Sequence, residues 1–226
     1  MIKNILLISL FTVLSACALT DNKSSENLNA SLLNWQNVYN DGEAKIVDNE
    51  IHLISTGNWF YLTKKKYSDF IFEADILMPD VTEYSNSGFI FRAQVRPNKK
   101  GTAQEAYGYQ AEVDPSNRKW SGGLYDQGRR KWLHPLHEKR SFPDSDFKKN
   151  FLLEWTGGMA NSYRHLEWNQ YRIECRGSEL KIFVNGVLTT HVIDDKESEG
   201  FFGFQHHGSK KLIKTGTSDN IVRFRN

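Results

Sequence analysis

Apolar and polar residues alternate in short runs along most of the chain, and no segment keeps a helical period over a sustained stretch. In "DFIFEADILMP", Phe70, Phe72, Ala74 and Ile76 oppose Ile71, Glu73 and Asp75. The segments "SGFIFRAQV", "YGYQAEVD", "NQYRIECRG", "GFFGFQHHG" and "NIVRFRN" read the same way. In "KIFVNGVLTT", Asn185-Gly186 stands between two β-rich runs. Both residues tolerate positive φ, which predicts a type I′ hairpin. Asp48-Asn49 marks a second hairpin. Many strands separated by turns, without βαβ alternation, predict an all-β antiparallel sandwich of two sheets. Residues 129–168 break the rhythm, and a loop of that length in a compact domain usually carries function.

The N-terminus has its own pattern. "ILLISLFTVL" is apolar over the length of a signal-peptide core and too short to span a bilayer as a mature helix. "LSAC" follows and resembles the bacterial lipoprotein signal, with Cys17 as the lipidated residue. Residues 1–17 therefore read as a lipoprotein signal, residues 18–33 as a flexible polar tether and residues 34–226 as one domain. This predicts an exported bacterial lipoprotein facing the periplasm, at the outer membrane, held there through Cys17. Cys175 then has no intrachain partner and reads as a packing residue or an exposed thiol. Net charge is +2 over 226 residues, which gives no electrostatic footprint for nucleic acid. Oligomeric state is not encoded in any pattern here.

Strand alternation sorts the polar residues by face. Gln110, Glu112 and Asp114 share one face of "YGYQAEVD". Gly88, Ile90, Arg92 and Gln94 share a face of "SGFIFRAQV", and Gly203, Gln205 and His207 a face of "GFFGFQHHG". These faces are either solvated sheet or the floor of a groove, and Arg92 with Glu112 could equally be a structural cross-strand pair. Gly88 and Gly203 are expected to leave room for a ligand above the sheet. "SGGLYDQGRRKWLHP" is expected to form one wall, with Trp120, Tyr125 and Arg130. Glu112 and Asp114, roughly 6.8 Å apart along one strand, are a weak match to a glycosidase carboxylate pair. Asp114 precedes the turn "PSNR" and reads better as a turn residue. His134 and His137 have ligand-like spacing, but no dense Cys/His cluster exists.

The motifs "NSGFIFRAQV", "YGYQAEVD", "SGGLYD", "EWNQYRIECRGSELKIFVNGV", "GFFGFQHHG" and "VRFRN" occur in the order seen in the 3-keto-disaccharide hydrolase domain family, which this chain resembles over roughly residues 34–226. The resemblance implies a concanavalin A-like jelly-roll sandwich and cleavage of glycosides already oxidised at C3. Such cleavage removes the C2 proton, expels the C1 substituent and then adds water. It needs a base, an enolate stabiliser and an acid. Matched to the family's motifs, Arg92, Glu112 and His207 are the expected catalytic residues, with His207 as general base. Gln110, Gln205, Tyr125, Asp126, Trp120 and Arg130 are expected to bind the sugar. A divalent cation over the enolate oxygen fits the same scheme, with Glu112 and His207 as its ligands. Gln110 and Glu112 exchange acid and amide relative to the family's "GYExQ", and His206 stands where relatives are often acidic. A non-catalytic carbohydrate-binding lipoprotein remains the alternative, with Trp120, Trp132 and Tyr125 as stacking platforms. An ordinary retaining glycosidase ranks third.

Overall fold

The computed structural model describes residues 32–40, 42–48, 50–55, 57–80, 86–145, 147–208 and 220–224, the last five as backbone. Cys17, the signal and nearly all of the tether lie outside them; Leu32–Asn34 form a short 3-10 turn. In chain order the strands are β1 Trp35–Asn37, β2 Glu43–Val47, β3 Glu50–Ile54, β4 Trp59–Tyr67, β5 Phe70–Leu77, β6 Ser87–Pro97 and β7 Gln104–Val113. They continue as β8 Leu124–Gln127, β9 Lys131–His134, β10 Asn169–Arg176, β11 Glu179–Val184, β12 Val187–Ile193, β13 Gly200–His206 and β14 Asn220–Phe224. Among the described residues they make two seven-stranded antiparallel sheets. Sheet A runs β1-β4-β13-β6-β7-β8-β9 and sheet B runs β12-β11-β10-β5-β14-β3-β2.

The alternation read from sequence is what joins the sheets. Phe89 and Phe91 of β6, Tyr109, Ala111 and Val113 of β7, and Phe202 and Phe204 of β13 point inward from sheet A. Phe72, Ala74 and Ile76 of β5 meet them, with Tyr171, Ile173 and Cys175 of β10. Phe72 and Phe202 lie with ring centroids 4.0 Å apart across the interface. Each such buried aromatic or aliphatic side chain contributes about 1.5–3 kcal/mol relative to exposure. Burial pushes the Cys175 thiol up to about 12, so it packs and does not ionise near neutrality. Asn185 and Gly186 have φ of 50° and 80°, the left-handed pair a type I′ turn requires between β11 and β12.

Residues 129–168 are not a bare loop. They hold β9, a 3-10 turn over Phe147–Asn150 and one short helix, α1 Gly157–Ala160. Phe147 and Met159 are buried, and Phe151 forms an isolated bridge with Val192 of β12. The segment is packed down along the flank of the sandwich. His134 is a core histidine: its ring lies 5.2 Å from Phe151 and 5.5 Å from Trp155, and burial drives its pKa down to about 4.

Candidate functional site

Residues directly opposite on an antiparallel ladder point to the same side of the sheet. Two such rows cross the outer face of sheet A. One is Phe60–Gln205–Gly88–Glu112, the other Leu62–Gly203–Ile90–Gln110–Tyr125–Trp132. Their apolar ends form a second small core of Phe60, Leu62 and Ile90 with Ala93 and Ala106, packed against Val38 and Tyr39. Their polar ends floor a cleft of about 760 Å³, walled by Asn58, Asn86, Arg118, Arg140 and His207 from the surrounding loops.

A chain of side-chain hydrogen bonds crosses the floor. Gln205 Nε2 donates to Asn58 Oδ1 at 2.8 Å, and Gln110 Nε2 donates to Gln205 Oε1 at 2.8 Å and to Glu112 Oε2 at 2.9 Å. Asn86 Nδ2 donates to Glu112 Oε1 at 2.5 Å. Gln110 Oε1 is buried and meets no donor among the described residues. The room at Gly88 is part of this network and not open space. A Cβ there would stand 2.5 Å from Gln110 Nε2 and 2.9 Å from Ala111 O, so the glycine is what lets the Gln110 carboxamide lie flat. The space over Gly203 is likewise taken, by Leu62 and Ile90.

Glu112 is 2% exposed. Burial, and secondarily the neighbouring Asp114 carboxylate, push its pKa up to about 8 against the pull of Arg118, Asn86 and Gln110. Its backbone is pinned from both sides: Gly122 N donates to Glu112 O at 2.8 Å, and Tyr171 Oη, reaching across the core from β10, donates to the same oxygen at 2.9 Å. His207 is exposed on the cleft rim. The walls still strip part of its ring's hydration, and with the positive charge of Arg118 this holds its pKa below the usual histidine value. Arg118 is set by the turn after β7: its Nε donates to Asp114 Oδ2 at 2.9 Å, while Ser116 N donates to Asp114 Oδ1 at 3.0 Å. Asp114 is thus the turn residue its sequence context indicated.

The structure brings Gln110, Glu112, Tyr125, Gln205 and His207 to one cleft and takes four expected residues elsewhere. Arg92 is not there. The β6–β7 register shifts between Phe91 and Gln94, and Arg92 has φ of 47°. This bulge reverses the alternation. Ala93 joins Ile90 on the outer face, while Arg92 is buried and donates from Nε and Nη2 to Ser68 O at 3.1 and 2.9 Å. Asp126 and Arg130 also leave the site. Asp126 follows Tyr125 on a strand and so points to the opposite face, where Arg130 Nε donates to Asp126 Oδ2 at 2.5 Å and Nη1 to Asp194 Oδ2 at 2.8 Å. Trp120 stands outside the cleft, edge-on to Trp132 at 4.6 Å. The candidate metal ligands Glu112 and His207 gain no third: among the described residues no group of three His, Cys, Asp or Glu could hold an ion. Asn58, Asn86, Arg118 and Arg140 line the cleft from loops, where strand alternation gives no signal.

Comparison with known proteins agrees with this architecture. The carbohydrate-binding module CBM66 from Bacillus subtilis superposes with a TM-score of 0.53 at 19% identity, over 85% of this chain and 92% of that one. A glycosyl hydrolase candidate from Parabacteroides distasonis gives 0.51 at 13% identity, over 87% and 88%. A Bacillus subtilis protein of unknown function with a galectin-like fold gives 0.51 at 12% identity, over 85% and 88%. These likenesses establish the jelly-roll fold. A search among curated proteins finds no match. The family model described as a 3-keto-alpha-glucoside-1,2-lyase-like domain matches residues 22–226, and the chain belongs to that family.

Proposed function

We propose that the protein cleaves glycosides whose sugar already carries a ketone at C3. The ketone acidifies the C2 proton. His207, neutral at pH 7, takes that proton, and the enolate expels the C1 substituent with its bonding electrons. Glu112, protonated at pH 7, supplies the proton the departing oxygen needs. Water then adds across the C1–C2 double bond. Arg118, on the cleft wall, is the cation that would stabilise the negative charge building on the C3 oxygen. The observation that carries this reading is one cleft with a buried carboxyl on its floor, its pKa pushed up to about 8, and a histidine on its rim shifted the other way.

The test is aglycone release from a 3-keto-glucoside, with the unoxidised glucoside as control. Turnover of the oxidised substrate alone, falling about 10²-fold or more in Glu112→Gln and His207→Ala, is the expected result. No release by intact protein overturns the reading. A chelator arm asks whether an ion adds to this set. Glu112 and His207 are the side chains that would hold it, and a rate unchanged by EDTA assigns the acid–base work to the protein alone. A purely binding role would use open aromatic faces. Trp132 is buried, edge-on to Tyr125 at 5.3 Å, which leaves little ring surface for a sugar. Saturable binding of unoxidised glycans, undiminished in His207→Ala, would favour that role instead.

We also infer from the leader that the mature protein is lipid-anchored at Cys17 and works in the periplasm at the outer membrane. Cys17→Ser is expected to move it from the membrane to the soluble fraction. Retention at the membrane would refute the anchor.

A further inference from the structure

The cleft is unevenly charged. Among the described residues its one lining carboxyl is Glu112, protonated at neutral pH. Its lining cations are Arg118, Arg140 and, at low pH, His207. Arg118 is balanced by Asp114, whose Oδ2 it holds at 2.9 Å through both Nε and Nη2. Arg140 is different. It is exposed, and its guanidinium has no carboxylate within ion-pair range among the described residues. Its backbone is nevertheless fixed. Arg140 N donates to His137 O at 3.1 Å, and Arg140 O accepts from Trp132 N at 3.2 Å. Among the described residues the cleft therefore carries an excess positive charge at one defined wall.

The position of that wall gives the charge a meaning. Trp132 lies two strands from Gln110 along the outer row. At roughly 4.8 Å per strand spacing, Trp132 stands about 10 Å from Gln110, and Arg140, whose carbonyl accepts from Trp132 N, lies one spacing further out with its side chain on the cleft wall. A sugar ring seated over Gln110 and Glu112 would place its C1 substituent or a neighbouring residue under Arg140. We propose that Arg140 selects substrates bearing an oxyanion on the group next to the 3-keto sugar, of which a uronic-acid carboxylate is the simplest form. A planar guanidinium matches a carboxylate, sulfate or phosphate bidentately. This deepens the proposed reaction and rests on it for the seating of the sugar.

Two arms test it separately. In the first, kcat/KM is measured for a 3-keto-glucoside with a neutral leaving group and for one whose leaving group carries a carboxylate, a sulfate or a phosphate. An anionic-to-neutral ratio of about three- to tenfold is expected, falling as salt is raised from 50 to 500 mM. In Arg140→Gln the ratio collapses to about one, and Arg140→Lys restores part of it. The ordering of the three anions identifies the group that is read. An intact protein with a ratio near one, or a ratio unaffected by Arg140→Gln, overturns the proposal. In the second arm, binding of an unoxidised glucuronic-acid disaccharide is compared with its neutral counterpart by calorimetry. If no 3-keto-glycoside is cleaved, the proposed reaction fails and this arm still decides selectivity. Arg140-dependent preference for the acid supports it, and equal binding overturns it.

Discussion

Glu112 and His207 titrate on either side of neutrality, and both shifts begin in the same cause, loss of water around a charge. A base must be neutral and an acid protonated to act. The rate should therefore rise with pH through the His207 pKa, which lies below 6.5, and fall again near 8 as Glu112 ionises. A pH profile of kcat/KM that keeps rising above pH 9 would remove Glu112 as the acid. Stability follows the same groups with its own signs. The folded pKa of Glu112, about 8, lies above its unfolded value of 4.5, so the folded state holds the extra proton and stability declines as pH climbs from 4.5 to 8. His134, folded near 4 against 6.5 unfolded, acts in the opposite sense and adds stability from 4 to 6.5. Up to pH 6.5 the two oppose each other; from 6.5 to 8 only the Glu112 slope remains. Wild-type melting temperature should thus drop between pH 6.5 and 8, and Glu112→Gln should level that slope.

The elements place these groups through register, and register is sensitive to small intrusions. Gly88→Ala drives a methyl into the Gln110 carboxamide and the Ala111 carbonyl. We expect a loss of about 1–3 kcal/mol in denaturant unfolding, together with a loss of activity larger than that of a neutral surface change. Unchanged kinetics would mean the amide chain is not needed. On the inward face, Arg130→Met leaves the buried Asp194 without its cation and Asp126 with Arg129 alone. It should destabilise by about 3–5 kcal/mol in the same assay. The strands themselves were legible because period-two alternation survives in any one sequence segment. Tyr125 and Asp126 are neighbours on a strand and cannot both face one site; only Tyr125 reaches the cleft. Arg92 was not recoverable in that way. Its bulge depends on β13 and β7 pairing to either side of β6, and no local pattern announces it. Asn58, Asn86, Arg118 and Arg140 escaped for a related reason, since loop residues acquire their positions from the strands they connect.

For the whole molecule, the two-sheet sandwich followed from many alternating segments and the absence of a helical period, while the pairing order did not. Sheet order is set by contacts between distant segments, which one-dimensional periodicity does not encode. The clearest case is β14. It lies inside sheet B, between β5 and β3, with Val222 opposite both Ile76 and Ile51. Ending the chain at residue 219 should leave β3 and β2 without their neighbour and abolish cooperative unfolding measured by circular dichroism. A truncated protein that melts like the full chain would show that β14 is dispensable. This placement also has a consequence in time. Sheet B cannot become continuous until a segment made very late arrives to wedge between two made early, and such long-range pairing is slow to form. During synthesis the nascent chain can collect hairpins but not a closed sandwich, so it stays open along that edge and becomes a finished shell only when β14 has arrived.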